Sequence, residues 1–176
     1  VVSEPNKKRM KGVEWMTDVR EDVAVRVCGK HERGERFGKG EGFVWIKFNE
    51  WVLYGCYISP NTGIERYTKF LGDLGESVNK WEGEVVVAGD FNAKSPLWGS
   101  PITNDLRGSL LEDWMAERCM VCHNCGNAPT FLRGAQKSHI DLTLSTEGVT
   151  RRMKEWRVLE QENLSDHRPG HSMGAG

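Results

Sequence analysis

Residues 84–93, with the sequence EVVVAGDFNA, constrain the fold more than any other segment. The apolar run at 85–88 is typical of a strand that is covered on both faces. Gly89 allows a sharp turn of the backbone where this run ends. Asp90 and Asn92 are two residues apart, so in extended geometry their side chains point the same way. The pair combines an acceptor-only carboxylate with a carboxamide that donates and accepts, which suits a water nucleophile or a metal-bound phosphate.

Length and composition limit the chain to one ordinary globular domain. It has 176 residues, 38% hydrophobic and 28% charged, with a formal net charge of −1. No apolar run is long enough to span a membrane and no signal peptide is visible, so we expect no membrane partner. The chain opens at Val1, and we interpret it as a fragment of a longer reading frame. Nucleic-acid contacts would have to come from local basic clusters, which lie at 7–11, 30–39 and 151–154.

The five cysteines are an odd number without a secretory context, which favours reduced thiols in a cytosolic or nuclear protein. Cys119, Cys122 and Cys125, with His123 among them, have a spacing that a zinc or iron–sulfur site could use. A fourth ligand at ordinary spacing is missing. We therefore favour the alternative in which these thiols fill the core.

Residue patterns predict alternating strands and helices interrupted by a hairpin. We expect a strand at 22–28, a charged, glycine-rich loop at 29–40, and a β-hairpin at 43–48 and 51–58. A helix capped within 59–62 follows, because apolar residues recur at helical spacing from Ile64 to Trp81. After the valine-rich strand come a loop at 94–104, a second helix around 110–118, and short strands at 120–123, 139–144 and 156–159. This order favours a mixed α/β sandwich.

Polar residues that could carry chemistry recur at the ends of these strands. Each has an ordinary explanation as a turn residue when taken alone, but together they favour a catalytic site. They are Glu4, Asp90, Asn92, Asp141, Asp166 and His167.

Five motifs in this order resemble the endonuclease/exonuclease/phosphatase superfamily of DNase I-like enzymes. They are Ser3-Glu4-Pro5, 57–61 (YISPN), 89–93 (GDFNA), 140–143 (IDLT) and 165–168 (SDHR). The stretches NAKSPLWGS, NDLRG, APTF and WRVLEQENLSDHR make the chain most similar to the endonuclease domain of insect R1-type non-LTR retrotransposons. The resemblance implies a DNase I-like four-layer α/β sandwich of mixed β-sheets flanked by helices.

The resemblance also implies a role for each matching residue. Glu4 and Asp166 would hold a divalent cation, and their hard oxygens suit Mg²⁺, or Mn²⁺ in its place. Asp90 would orient and deprotonate the attacking water, while Asn92 would fix that group and contact the scissile phosphate.

Three further residues would stabilise charge on the phosphate. His167 would donate to the phosphoryl oxygens, Asp141 would hold its imidazole and favour the charged form, and Tyr57 would hydrogen-bond the phosphate. The implied reaction is in-line hydrolysis of a phosphodiester that leaves a 3′-hydroxyl.

Loops that follow Asn92 face DNA in such folds, and they contain Lys94, Trp98 and Arg107. We expect Lys94 to contact DNA, Arg107 to meet phosphate, and Trp98 to wedge against bases. The alternative for Trp98 is a loop anchor packed on the core.

Both ends of the chain depart from the superfamily pattern. We expect a partial domain at 1–168 that lacks the first strand–helix unit and the last strand, followed by a tail at 169–176 outside the family pattern. Two missing strands would leave Glu4, Asp166 and His167 less firmly held. This motivates the hypothesis that the chain is a weak or inactive copy of an active nuclease.

Three functions remain open on the sequence alone. The first is an endonuclease that nicks double-stranded DNA in the nucleus, so that a reverse-transcriptase domain of the same polyprotein can prime from the exposed end. The second is an inositol or lipid phosphatase on the same fold, although Asp141 lies in IDLT rather than in the Trp-Cys-Asp-Arg stretch of those phosphatases. The third is a transposon remnant that binds DNA weakly.

Overall fold

A computed structural model describes residues 1–5, 15–28, 34–124, 129–133 and 136–153. Fourteen elements and one 3-10 turn at Pro96–Trp98 follow one another along these residues. They are β1 (Val2–Ser3), β2 (Met16–Thr17), β3 (Val23–Val25), β4 (Arg36–Gly40), β5 (Phe43–Lys47), β6 (Trp51–Tyr57), α1 (Ile64–Val78), β7 (Glu84–Asp90), α2 (Leu106–Glu117), β8 (Val121–Cys122), β9 (Phe131–Arg133), β10 (Gln136–Ser138), β11 (Asp141–Ser145) and α3 (Glu147–Arg152).

The larger sheet has six strands in the order β4-β5-β6-β7-β11-β8. Strands β6 and β7 pair in parallel through the crossover helix α1, whereas the other neighbours are antiparallel. A second sheet has the order β1-β3-β2, and β9 pairs with β10 as a hairpin. The mixed α/β sandwich expected from the sequence is confirmed.

The register of the three central strands brings the site residues to one edge. Tyr57 at the end of β6 lies opposite Asp90 at the end of β7. On the other side of β7, Asp141 at the start of β11 also lies opposite Asp90. A carboxylate is therefore flanked on both neighbouring strands by side chains that the sequence singles out.

Hydrophobic side chains form a core on each face of the six-stranded sheet. The larger core lies under α1 and α2, where Leu74, Leu111 and Trp114 are buried with Val85 and Val87 of β7. The smaller core lies between the two sheets. In it, Val23 and Val25 of β3 pack with Val44 and Ile46 of β5 and with Phe48, which follows β5. The six-stranded sheet is therefore covered on both faces, and this is why β7 contains an uninterrupted run of apolar residues.

Two local predictions are wrong. Residues 36–40 were expected to be loop, but they form the edge strand β4, which is exposed along much of its length and so carries no apolar alternation. The cap of α1 is Gly63 without a side-chain hydrogen bond, rather than a polar residue of 59–62. The hairpin β5–β6, both long helices and the strands β3, β7, β8 and β11 are confirmed. The strand expected at 156–159, the missing last strand and the tail at 169–176 fall outside the described residues.

The cysteines only partly follow the buried-thiol interpretation. Cys56 is fully buried and Cys122 half-buried, but Cys119 is exposed, so the core role is wrong for it. Cys125 lies outside the described residues. In the part of the chain that the structure describes, no helix is both long and apolar enough to cross a membrane.

Candidate active site

Gly89 sets the close approach of β6 and β7 just before Asp90. Its φ is +152°, a backbone conformation that residues with a side chain rarely adopt. A Cβ at this position would lie 1.9 Å from the carbonyl oxygen of Cys56. Glycine is therefore required here, and the next residue, Asp90, is only 2% exposed.

Asn92 turns back toward Asp90 through a left-handed backbone, with φ of +43°. Its N–H donates to Oδ1 of Asp90 at 2.8 Å. Its Nδ2 donates to the carbonyl oxygen of Ile58 at 2.9 Å, beyond the end of β6. Asn92 is thus tied to two neighbouring strand ends, through its backbone to Asp90 and through its carboxamide to Ile58.

Tyr57 and Glu4 form a side-chain pair on the β6 side of Asp90. The hydroxyl of Tyr57 donates to Oε1 of Glu4 at 2.7 Å. Burial raises the pKa of Tyr57, and the hydrogen bond to Glu4 and the nearby charge of Asp90 raise it further. The phenol consequently stays protonated at neutral pH and keeps its donor.

Glu4 itself is exposed and has a left-handed backbone, with φ of +48°. Its N–H donates to the carbonyl oxygen of Asp22 at 2.8 Å, next to the antiparallel pairing of β1 with β3. The three-stranded sheet therefore positions Glu4 at the site from outside the sheet that carries Asp90.

Asp141 is held by two residues that the sequence did not single out individually. Thr130 Oγ1 accepts from the N–H groups of Ile140 and Asp141 at 3.2 and 3.1 Å, and Thr130 is 1% exposed. Asn124 Nδ2 donates to the carbonyl oxygen of Asp141 at 2.8 Å, and its Oδ1 accepts from the N–H of Thr143 at 2.9 Å. Thr130 lies in the APTF stretch, but nothing in its spacing from Asp141 indicates this contact.

Asp18 is a third residue that sequence patterns missed, because TDVRED looks like an exposed turn. Its side chain is fully buried and accepts from the N–H groups of Arg20, Asp22, Val23 and Gly42. A buried carboxylate needs such donors, and here they fix the turn whose Asp22 carbonyl receives the N–H of Glu4.

The described residues include carboxylates that suit a divalent cation, but they do not provide a complete set of ligands for it. Glu4 accepts from the hydroxyl of Tyr57, and Asp90 lies opposite Tyr57 on β7, so two hard carboxylates lie beside one phenol. The described residues contain no group of three potential His, Cys, Asp or Glu ligands. Asp166 and His167, which the sequence assigns to the metal and the phosphate, lie outside the described residues.

Trp98 occupies the core position that was one of its two alternatives. The side chain is 1% exposed, and its indole N–H donates to the carbonyl oxygen of Ala93 at 3.2 Å. Its neighbour Leu97 is 59% exposed instead. To wedge against bases, Trp98 would have to leave this packing.

Arg107 lies in the first turn of α2 rather than in a loop, and it is half-buried. Its guanidinium donates to carbonyl oxygens of the 59–62 loop. Lys94 is half-buried, and its backbone N–H donates to Oδ2 of Asp105 at 2.6 Å.

The mixed sheets, the flanking helices and the polar cluster at one sheet edge define a DNase I-like α/β fold of the nuclease and phosphodiesterase type. The chain belongs to the family described as Endonuclease-reverse transcriptase, whose model matches residues 51–171. It is 35% identical over 91 residues, 47% of its length, to the retrovirus-related Pol polyprotein from type-1 retrotransposable element R1 of Bradysia coprophila. It spans only 9% of that polyprotein.

Solved structures resemble the chain over most of its length. The endonuclease domain of TRAS1, a telomere-specific non-LTR retrotransposon, superposes with a TM-score of 0.72 at 26% identity, covering 94% of this chain and 80% of that domain. A 3′ phosphatase, NExo, from Neisseria bound to a product DNA hairpin and an AP endonuclease from Archaeoglobus fulgidus each give a TM-score of 0.64. Their identities are 15% and 16%, each covering 79% of this chain and 70% of the other, so they support the fold alone.

Proposed function

We propose that this chain is a divalent-metal-dependent endonuclease domain that hydrolyses a phosphodiester of double-stranded DNA and leaves a 3′-hydroxyl. The observation that carries the proposal is the convergence of Tyr57, Asp90 and Asp141 on three adjacent strand ends, with Asn92 and Glu4 hydrogen-bonded to two of them. Membership of the Endonuclease-reverse transcriptase family supports it.

Asp90 is the group proposed to orient and deprotonate the attacking water. Its burial and its hydrogen bond from the N–H of Asn92 hold one carboxylate oxygen in place, so the other has a defined direction. Asn92 is proposed to contact the scissile phosphate, since its Nδ2–Ile58 bond fixes the plane of the carboxamide. Fixed geometry of this kind lowers the barrier by reducing the entropy lost in reaching the transition state.

Tyr57 and Asp141 are proposed to act on the charge that builds on the phosphate. A phenol whose pKa is raised remains a neutral donor, and the single O–H that Tyr57 gives to Glu4 in the free protein would pass to a phosphoryl oxygen in the complex, where such a donor stabilises charge when water is excluded. Asp141 is proposed to orient the imidazole of His167, which then donates to the same oxygens.

Glu4 and Asp166 are proposed to hold Mg²⁺, or Mn²⁺, at the edge next to Tyr57. When bound, the cation supplies positive charge beside the phosphate as negative charge develops. The exposed carboxylate of Glu4 is accessible for this, and Tyr57 orients it in the free protein.

The wider setting is proposed from the family and the relative. A nick made by this domain would give the primer for a reverse-transcriptase domain in the same polyprotein, and genomic DNA as substrate implies action in the nucleus. Lys94, in the loop after Asn92, is proposed to contact phosphate of the DNA.

Nicking of supercoiled plasmid in Mg²⁺ tests the proposal. Asp90→Asn is expected to lower the rate by about a hundredfold or more, because it removes the base while keeping the shape. Asp113→Asn, on the exposed face of α2, is the matched control and should cleave like the wild type. Inositol phosphates should release no phosphate.

A wild-type chain that neither nicks DNA nor gains thermal stability from Mg²⁺ or Mn²⁺ would contradict the proposal. It would favour a remnant that only binds DNA, since a formed metal site stabilises the folded state.

A further inference from the structure

Arg107 lies in the first turn of α2, and its guanidinium reaches across to the loop that follows β6. Nη1 donates to the carbonyl oxygen of Ser59 at 3.2 Å. Nη2 donates to the carbonyl oxygen of Pro60 at 3.2 Å and also to that of Thr62. One planar cation therefore satisfies three backbone acceptors of a loop that has no regular structure.

The same guanidinium also contacts the loop after β7 and helix α1. Nη1 approaches the carbonyl oxygen of Asn92 at 3.5 Å, a longer and weaker contact. Its Cζ lies over the ring of Tyr67, 4.9 Å from the ring centroid. Arg107 thus joins the two loops that emerge from the parallel pair β6–β7, where Tyr57 and Asp90 lie.

Neighbouring residues hold the first turn of α2 against the site. Asp105 caps the helix by accepting from the N–H of Gly108 at 3.2 Å and from the N–H of Lys94 at 2.6 Å. A Cβ on Gly108 would lie 2.0 Å from the carbonyl oxygen of Lys94, so the helix packs directly on the backbone after Asn92. The stretch NDLRG therefore packs against the loop that follows β7, and Arg107 is the residue of this stretch that reaches the loop after β6.

We propose that Arg107 is a positioning residue that keeps the 59–62 loop and Asn92 in fixed relation across the end of β6 and β7, rather than a residue that binds phosphate. Its Nη1 and Nη2 donors are engaged by carbonyl oxygens, and a bidentate phosphate contact through them would require giving these up. The catalytic consequence rests on the proposed function, because misplacement of Asn92 by about 1 Å costs rate only if Asn92 acts on a phosphate.

Backbone amide hydrogen exchange of the free protein tests the positioning role without any substrate. In Arg107→Ala, amides of Asn61, Thr62 and Asn92 should exchange about tenfold faster or more, as expected for loss of one or more hydrogen bonds to a charged group. Amides of β5 and β11 should be unchanged. Arg151→Ala removes a charge from exposed α3 and is the matched control. Unchanged exchange at 59–62 and Asn92 would overturn the proposal.

A second variant covers the case in which Arg107→Ala unfolds. Arg107→Lys keeps the charge but loses the planar fork, so the same local increase in exchange is expected with a Tm close to that of the wild type. Exchange as slow as in the wild type would show that a point charge suffices and would overturn the proposal.

Kinetics and salt dependence separate positioning from phosphate binding. Arg107→Lys should lower kcat about tenfold or more while KM for DNA and the slope of log K against log salt stay unchanged. A slope that falls by about one in Arg107→Ala would identify a phosphate contact and overturn the proposal. If the wild type neither binds nor cleaves DNA, the proposed function fails while the exchange experiment still decides the role of Arg107.

Discussion

Asp90 and Glu4 both lie beside Tyr57, yet the protein holds these two carboxylates in different ways. Asp90 is buried at the end of a seven-residue central strand, with neighbouring strands on both sides. Glu4 is exposed, follows a two-residue strand, and depends on one side-chain bond and one backbone bond. The rigid half of the site is the half proposed to activate water. The less constrained half is the one proposed to hold the cation, so its affinity is the property that small changes can adjust.

The largest effect is expected from breaking the rigid half at Gly89. Gly89→Ala places a Cβ against the Cys56 carbonyl in a backbone conformation that alanine avoids, so the free energy of unfolding should fall by about 3 kcal/mol or more. Gly72→Ala is the control, because it lies exposed on α1 and the added Cβ would meet nothing within 4 Å beyond its own helix backbone and adjacent residues. It should stabilise by about 0.5–1 kcal/mol. Urea unfolding measures both. Equal effects would mean that β6 and β7 tolerate separation at the site.

Loss of the contacts that hold Asp141 should have a smaller effect on the same half. Thr130→Val keeps the shape but leaves the N–H groups of Ile140 and Asp141 without their acceptor, at a cost of about 1–3 kcal/mol of stability. Thr68→Val, on the exposed face of α1, should change stability by less than about 0.5 kcal/mol. Chemical denaturation checks the difference, and a Thr130→Val protein as stable as the wild type would refute it.

A change in the less constrained half, at Glu4, should alter metal affinity rather than the stability of the fold. Glu4→Gln removes the charge while its carboxamide oxygen can still accept from Tyr57, so the Mg²⁺ concentration for half-maximal thermal stabilisation should rise about tenfold or more. Without metal, the Tm should stay near that of the wild type because Glu4 is exposed. The same shift in metal dependence for Glu76→Gln, an exposed residue of α1, would show that the effect is not local.

The smallest expected effect is on pH dependence, at the far end of β11 from Asp141. Burial lowers the pKa of His123 below 6.5, and its Nε2 hydrogen-bonds with Ser145 Oγ at 2.7 Å. Below about pH 6.5 the unfolded chain binds this proton more readily than the folded one, so stability falls as the pH falls through that range. His123→Gln should flatten that part of a stability–pH curve. An identical curve would assign the acid sensitivity to other groups.

The elements that sequence reasoning captured are those with strong local patterns. The valine run of β7 and the helical spacing of α1 predict both elements and put Asp90 at a strand end, and the hairpin β5–β6 follows from its aromatic, β-branched runs. Strand β4 was not predicted, because an exposed edge strand such as RFGKG has no buried face that would require apolar and polar residues to alternate.

Contacts made across the chain could not be predicted in the same way. Asn124 and Thr130 act on the backbone around Asp141 through pairings that depend on tertiary structure. Asp18 looks like a turn residue until four N–H groups surround it. Arg107 is recognisable as a residue of interest, but the direction of a long side chain is set by the acceptors around it.

The bond between Asp105 and the N–H of Lys94 closes the loop that follows Asn92 at its base. Beyond that closure, Pro101, Ile102, Thr103 and Asn104 are all exposed. Lengthening a loop whose ends are already joined costs only about 0.6 kcal/mol for each doubling of its length. Residues 101–104 are therefore a position where the loop can change in length and sequence at little cost in stability. Such changes would leave the geometry at the ends of β6 and β7 intact.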